Sequence, residues 1–142
     1  MKRISCLLCV SVFTLSALAG TALAAEDEGQ HHHEDLTTTQ LGTVSFPVSC
    51  APDVQKPFER GVALLHSFWY EEAEKEFAQI SARDPNCAMA HWGLAMSLWH
   101  QLWNEPDKKV IQHGLDEVRE AKTTDGPTTP REKAYIAAIA AF

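Results

Sequence analysis

The chain has 142 residues, with 19 acidic against 12 basic side chains, a formal net charge of −7 and 45% hydrophobic residues. That length holds one domain, and that charge makes nucleic acid and anionic lipid poor partners. Four cysteines in so short a chain make the redox compartment the first question to ask of the N-terminus.

Lys2 and Arg3 precede an apolar run from Ile4 to Leu18, and Ala22-Leu23-Ala24 offers small residues for cleavage. Basic, apolar and small regions in that order predict a secretory signal peptide over residues 1–24. The run is too short for a membrane span and acids follow it closely, so no stable membrane insertion is expected after cleavage. No Cys follows the small residues, which argues against a lipid anchor. The expected location is periplasmic or secreted. Cleavage removes Lys2, Arg3, Cys6 and Cys9, leaving a more acidic chain with Cys50 and Cys87 as its only cysteines.

Residues 25–49 form a lead-in, polar and acidic up to about Thr43, where disorder is expected. It contains His31, His32 and His33 among Glu28, Glu34 and Asp35. Such a tract is a weak metal candidate, or simply a solvated tail. Val44 and Phe46 alternate with polar residues before Pro47, a pattern for a short extended stretch lying along a helical body.

From Ala51 the period becomes helical, with Pro52 or Pro57 in a first turn and Phe58, Gly61, Val62, Leu64, Leu65 and Phe68 at helical spacing. A second helix is predicted over Tyr70–Arg83, with Ala73, Phe77 and Ile80 inward and acids outward. Asp84-Pro85-Asn86 ends it. A third, about Cys87 to Trp103, carries two adjacent apolar stripes and reads as central. A fourth runs to about Lys122, with Ile111, Gly114, Leu115, Val118 and Ala121 inward. Thr129-Pro130-Arg131-Glu132 is a capping box that opens a fifth, in which Tyr135, Ile139 and Phe142 repeat the spacing of Trp92, Met96 and Trp99.

One phrase occurs twice. Leu64, His66, Trp69 and Glu71 return as Leu98, His100, Trp103 and Glu105, each 34 positions later. A fixed period of that size signals stacked helical hairpins. The residues resemble the tetratricopeptide repeat family, whose slots hold Gly61, Leu64, Tyr70, Ala73, Phe77, Ile80 and Pro85 in the first copy and Leu94, Ala95 and Leu98 in the second. The opening Trp slot departs, with Pro57 and then His91, and the second hairpin carries about seven extra residues. The resemblance implies an all-α, right-handed solenoid of about two and a half repeats over residues 50–142. It is closest in kind to exported bacterial repeat proteins, which have several more repeats, and the stripe at Phe142 is expected to continue beyond it.

In that family the first helix of each hairpin lines a concave groove. The resemblance places Gln55, Phe58, Val62, Leu65 and His66 there, then Met89, Trp92, Met96, Trp99 and His100, with Tyr135 and Ile139 from the third copy. An aromatic and Met-rich groove suits an apolar helix or an extended peptide. The same stripe also fits a buried core, and both readings stand. The implied role is a scaffold for a protein or peptide partner, without a cofactor. The alternatives are a His-dependent metal-binding protein or the N-terminal module of a longer enzyme. His66 and His100 share a slot but make an incomplete metal site, since zinc takes at least three protein ligands. His91 and His113 lie elsewhere. No hydrolase, zinc-protease, phosphate-loop or haem-attachment motif occurs, so no catalytic role is expected.

Cys50 and Cys87 each begin the first helix of a hairpin, and stacked hairpins set those helices side by side. A disulfide is expected, worth about 4 kcal/mol on the chain-entropy model. Two independent buried thiols are the alternative.

Overall fold

Helices supply every regular element among residues 38–99 and 105–141, which the computed structural model describes. The predicted signal peptide, the histidine tract His31–His33, and His100 with Trp103 fall outside them. All-α is therefore the observed class. No helix among the described residues is long and apolar enough to cross a membrane.

The described part of the lead-in, from Thr38 onward, differs from the expected disorder. Thr38–Leu41 forms a single helical turn, α1, stopped by Gly42 at φ 78°. The chain then runs extended to Cys50, with Val44, Phe46 and Val48 half-buried and Ser45 and Pro47 exposed between them. That is the alternation its sequence carries. It pairs with no strand and lies on helices instead.

A 3₁₀ turn, Pro52–Val54, leads into α2, Gln55–His66, with Pro52 at the start where its missing N–H costs nothing. Val54, Phe58 and Val62 recur every fourth residue on one buried face. α2 ends in a Schellman motif: Trp69 N–H donates to the Leu64 carbonyl at 3.0 Å and Phe68 N–H to that of Leu65 at 3.1 Å. The left-handed residue is Phe68, at φ 62°, where glycine usually stands. That backbone costs about 1–2 kcal/mol for an L side chain.

α3 spans Tyr70–Arg83, with Ala73, Phe77 and Ile80 buried and Glu71 and Glu72 in the first turn, where the helix dipole favours acids. Its end at Asp84 follows from Pro85, which disfavours helical angles in the residue before it. α4, Ala88–Leu98, is buried nearly all round. α5, Lys108–Thr123, opens on Asp107, whose carboxylate accepts from Lys109 and Val110 N–H at 2.8 and 2.9 Å. Of its expected inward stripe only Val118 and Ala121 are buried; Ile111 and Leu115 are exposed, because they stand at the rim of an open cavity. α6, Pro130–Ile139, opens on the complete capping box of Thr129 and Glu132.

The expected third helix reached Trp103, but α4 stops at Leu98 and Trp99 is already extended. Trp99 turns instead to line an apolar cavity of about 250 Å³ with Leu98, Val110, Leu115, Val118 and Ile139.

Consecutive helices pack together, and α2 with α4 and α4 with α6 touch as well. The connections at Ser67–Trp69 and Asp84–Cys87 are too short for anything but a fold-back. Phe77 of α3 is the central wedge. A methyl group on Gly61 would lie 2.7 Å from its ring, and one on Gly93 closer still. Both glycines exist so that α2 and α4 can close on this ring.

Candidate functional site

Three equivalent positions along α2, α4 and α6 make three layers. Gln55, Met89 and Glu132 form the first. One turn on come Phe58, Trp92 and Tyr135, and one turn further Val62, Met96 and Ile139. Each layer meets a different part of the molecule.

The middle layer holds Phe46 of the lead-in. Its ring centroid lies 5.5 Å from Phe58, 5.7 Å from Trp92 and 5.1 Å from Tyr135. Offset and tilted pairs at these separations are the favourable aromatic arrangements. The Arg131 guanidinium covers the same ring, its carbon 5.1 Å from the centroid. Arg131 also donates to the Pro47 carbonyl.

The first layer grips the main chain. Gln55 Oε1 accepts from Val48 N–H at 3.0 Å, and its Nε2 donates to the Phe46 carbonyl at 2.9 Å. One side-chain amide thus satisfies a donor and an acceptor of an extended strand, as a neighbouring strand would. Glu59, one turn along α2, accepts from Phe46 N–H at 3.2 Å and from Gln55 Nε2 at 3.1 Å.

Glu132 does the same from α6. Ser49 donates its N–H at 2.6 Å and its hydroxyl at 2.8 Å, while Thr129 donates its N–H at 2.6 Å and its hydroxyl at 2.7 Å. The Glu132 side chain is 1% exposed. Burial by itself pushes its acidity toward higher pH. Hydrogen bonds from Thr129 and Ser49 to the anion outweigh burial and hold the carboxyl below its usual range. Cys50 then joins Cys87 at the start of α4, with S–S 2.01 Å and Cα–Cα 4.9 Å, as the expected pairing requires.

The third layer is open. Val62, Met96 and Ile139, with Leu65, His66, Phe68 and Tyr70, line a cavity of about 550 Å³ that Phe46, Trp92 and Tyr135 of the middle layer also border. Of the twelve predicted groove residues, Val62, Leu65, His66, Trp92, Met96, Tyr135 and Ile139 meet there, and Gln55 holds the lead-in. Phe58 is buried against Phe46, Met89 is buried in the core, and Trp99 lines the other cavity. His100 lies outside the described residues, so its approach to His66 is not seen. The sequence singles out neither Glu59 nor Glu132 for this site. Glu132 is visible there only as a helix cap, and its second task needs a partner 83 residues away.

Two further clusters have no sequence motif. Ser81 Oγ lies 3.4 Å from His91 Nε2, whose Nδ1 is 2.8 Å from Glu117; His113 reaches Glu117 at 3.3 Å. The order resembles a nucleophile, base and acid. Ser81 sits inside α3, however, where its own N–H is committed to the helix ladder and cannot stabilise an oxyanion. The cluster ties α3, α4 and α5 together. Asp84 lies with Cys50 and Cys87 so that all three ligand atoms fall within 4.8 Å. The two sulfurs are bonded to each other, and the carboxylate accepts from Ala51 N–H at 2.8 Å and Asn86 N–H at 3.2 Å. No family model, curated protein or solved structure matches the chain.

Proposed function

We propose that the protein is an exported scaffold built as a tetratricopeptide-like solenoid, and that it binds a protein or peptide partner on the face shared by α2, α4 and α6. The observation that carries this reading is the open cavity of about 550 Å³ walled by Val62, Leu65, Met96 and Ile139. Ligand sites are mostly apolar recesses with a few polar side chains, and here His66, Tyr70 and Tyr135 are the polar members of the lining. The 34-residue phrase and the contacts among alternate helices support the solenoid. The Cys50–Cys87 pair fits the oxidising compartment to which a signal peptide would deliver the chain. The role is binding, without chemistry on the partner.

A random peptide library panned on the immobilised protein tests the reading. Enriched peptides should lose at least tenfold in affinity to Leu65→Arg, a half-buried wall position, while its melting temperature stays close to wild type. Peptides that bind wild type and Leu65→Arg equally would sink it.

A further inference from the structure

The lead-in shows what the face recognises. Phe46 precedes Pro47, and a residue before proline is confined to extended backbone. That conformation aims the Phe46 N–H at Glu59, its carbonyl at Gln55 and its ring into the aromatic layer. The backbone is read by side-chain amide and carboxylate, the side chain by shape, and proline lowers the ordering cost in advance. Ser45, by contrast, is exposed, so its identity goes unread. Main-chain hydrogen bonds with a pocket for one side chain are how extended peptides are recognised generally.

We infer that residues 44–48 are an intramolecular peptide ligand, and that the same seat accepts in trans an extended segment of another protein carrying an aromatic residue followed by proline. This rests on the binding role proposed above and gives it a ligand class. The resident segment is a built-in competitor: its tether to α2 gives it a high effective concentration. A partner segment gains the seat only when the resident ring is withdrawn. It then extends into the open cavity, which the resident chain leaves empty because Val44 turns away along α2 beside Lys56 and Ala63.

The test uses the full chain, its Phe46→Ala variant, and two labelled synthetic peptides. One peptide copies residues 41–49, Leu-Gly-Thr-Val-Ser-Phe-Pro-Val-Ser; the other has alanine for phenylalanine. Fluorescence anisotropy should show the first peptide binding Phe46→Ala at least tenfold more tightly than it binds wild type. The alanine peptide should bind the variant at least tenfold more weakly than the first. Equal binding of both peptides to the variant would overturn the aromatic–proline class while leaving a binding groove. Equal binding of the first peptide to wild type and variant would overturn the competitor role. Should the variant be unfolded, an excess of the first peptide must restore its helical circular dichroism where the alanine peptide does not. Failure to restore it, or a folded variant that binds neither peptide, overturns the inference. In the folded case, library peptides lost on Leu65→Arg would show that the groove reading survives.

Discussion

The aromatic and aliphatic layers are built from neighbouring turns of the same three helices, yet one is filled and the other open. Phe58, Trp92 and Tyr135 close around Phe46, whereas Val62, Met96 and Ile139 face a cavity of about 550 Å³. The difference lies in the chain laid across them. Arg131, Gln55 and Glu132 hold residues 46–49 against the first two layers, and no comparable hydrogen bond grips Val44 against the third among the described residues. A helical array therefore does not decide by itself which of its turns are core and which are groove.

Substitutions can break this contrast in graded steps. Phe58→Ala, in the filled layer and fully buried, should cost the most, about 3–5 kcal/mol by chemical denaturation. Cys50→Ser with Cys87→Ser frees the lead-in from α4 and should cost about 2–4 kcal/mol. A double variant as stable as wild type would mean that the lead-in is held without the bridge.

Glu132→Gln should cost about 1–3 kcal/mol by weakening four hydrogen bonds to an anion. The sign of its pH dependence follows from a carboxyl whose native acidity is shifted down. Its stabilisation is full above the unfolded value of about 4.3 and is lost as pH falls through the lower native value. Wild type should therefore lose its advantage over Glu132→Gln across that acidic window, measured by urea melts at successive pH. A constant difference would show that the carboxylate is not what pins Ser49.

The smallest effect belongs to the open layer. Met96→Ala should cost only about 1 kcal/mol, because its side chain is half-buried and faces the cavity. A loss as large as that of Phe58→Ala would mean that the open layer behaves as core.

Local signals carried most of the fold. Tyr70–Arg83 matches its prediction at both ends, because the Tyr70 start, the acidic first turn and Asp84-Pro85 all act within a few residues. The Thr129–Glu132 capping box is equally local. The cysteine pairing was legible as well, since a 34-residue period places two helix starts together. The end of α4 was not: no local signal at Trp99 opposes helix, yet its backbone is extended and it shares the wall of a cavity with α5. The groove residues were half legible. Their spacing named the face, but whether Phe58 is floor or wall depends on Phe46, whose place on the helices is a tertiary fact. Gln55 was placed on the face without its task, and Ser81, His91 and Glu117 stand on three helices with no common spacing.

Glu132 also orders events in time. It binds Ser49 across 83 residues, and Tyr135 completes the seat around Phe46 from the same late helix. Contacts so distant in sequence are slow to form, because the intervening chain must be ordered first. As the chain emerges N-terminus first during synthesis, Ser49 appears long before α6 does. The lead-in is thus released early and secured late. For that interval the aromatic faces of α2 and α4 are open to whatever else is present.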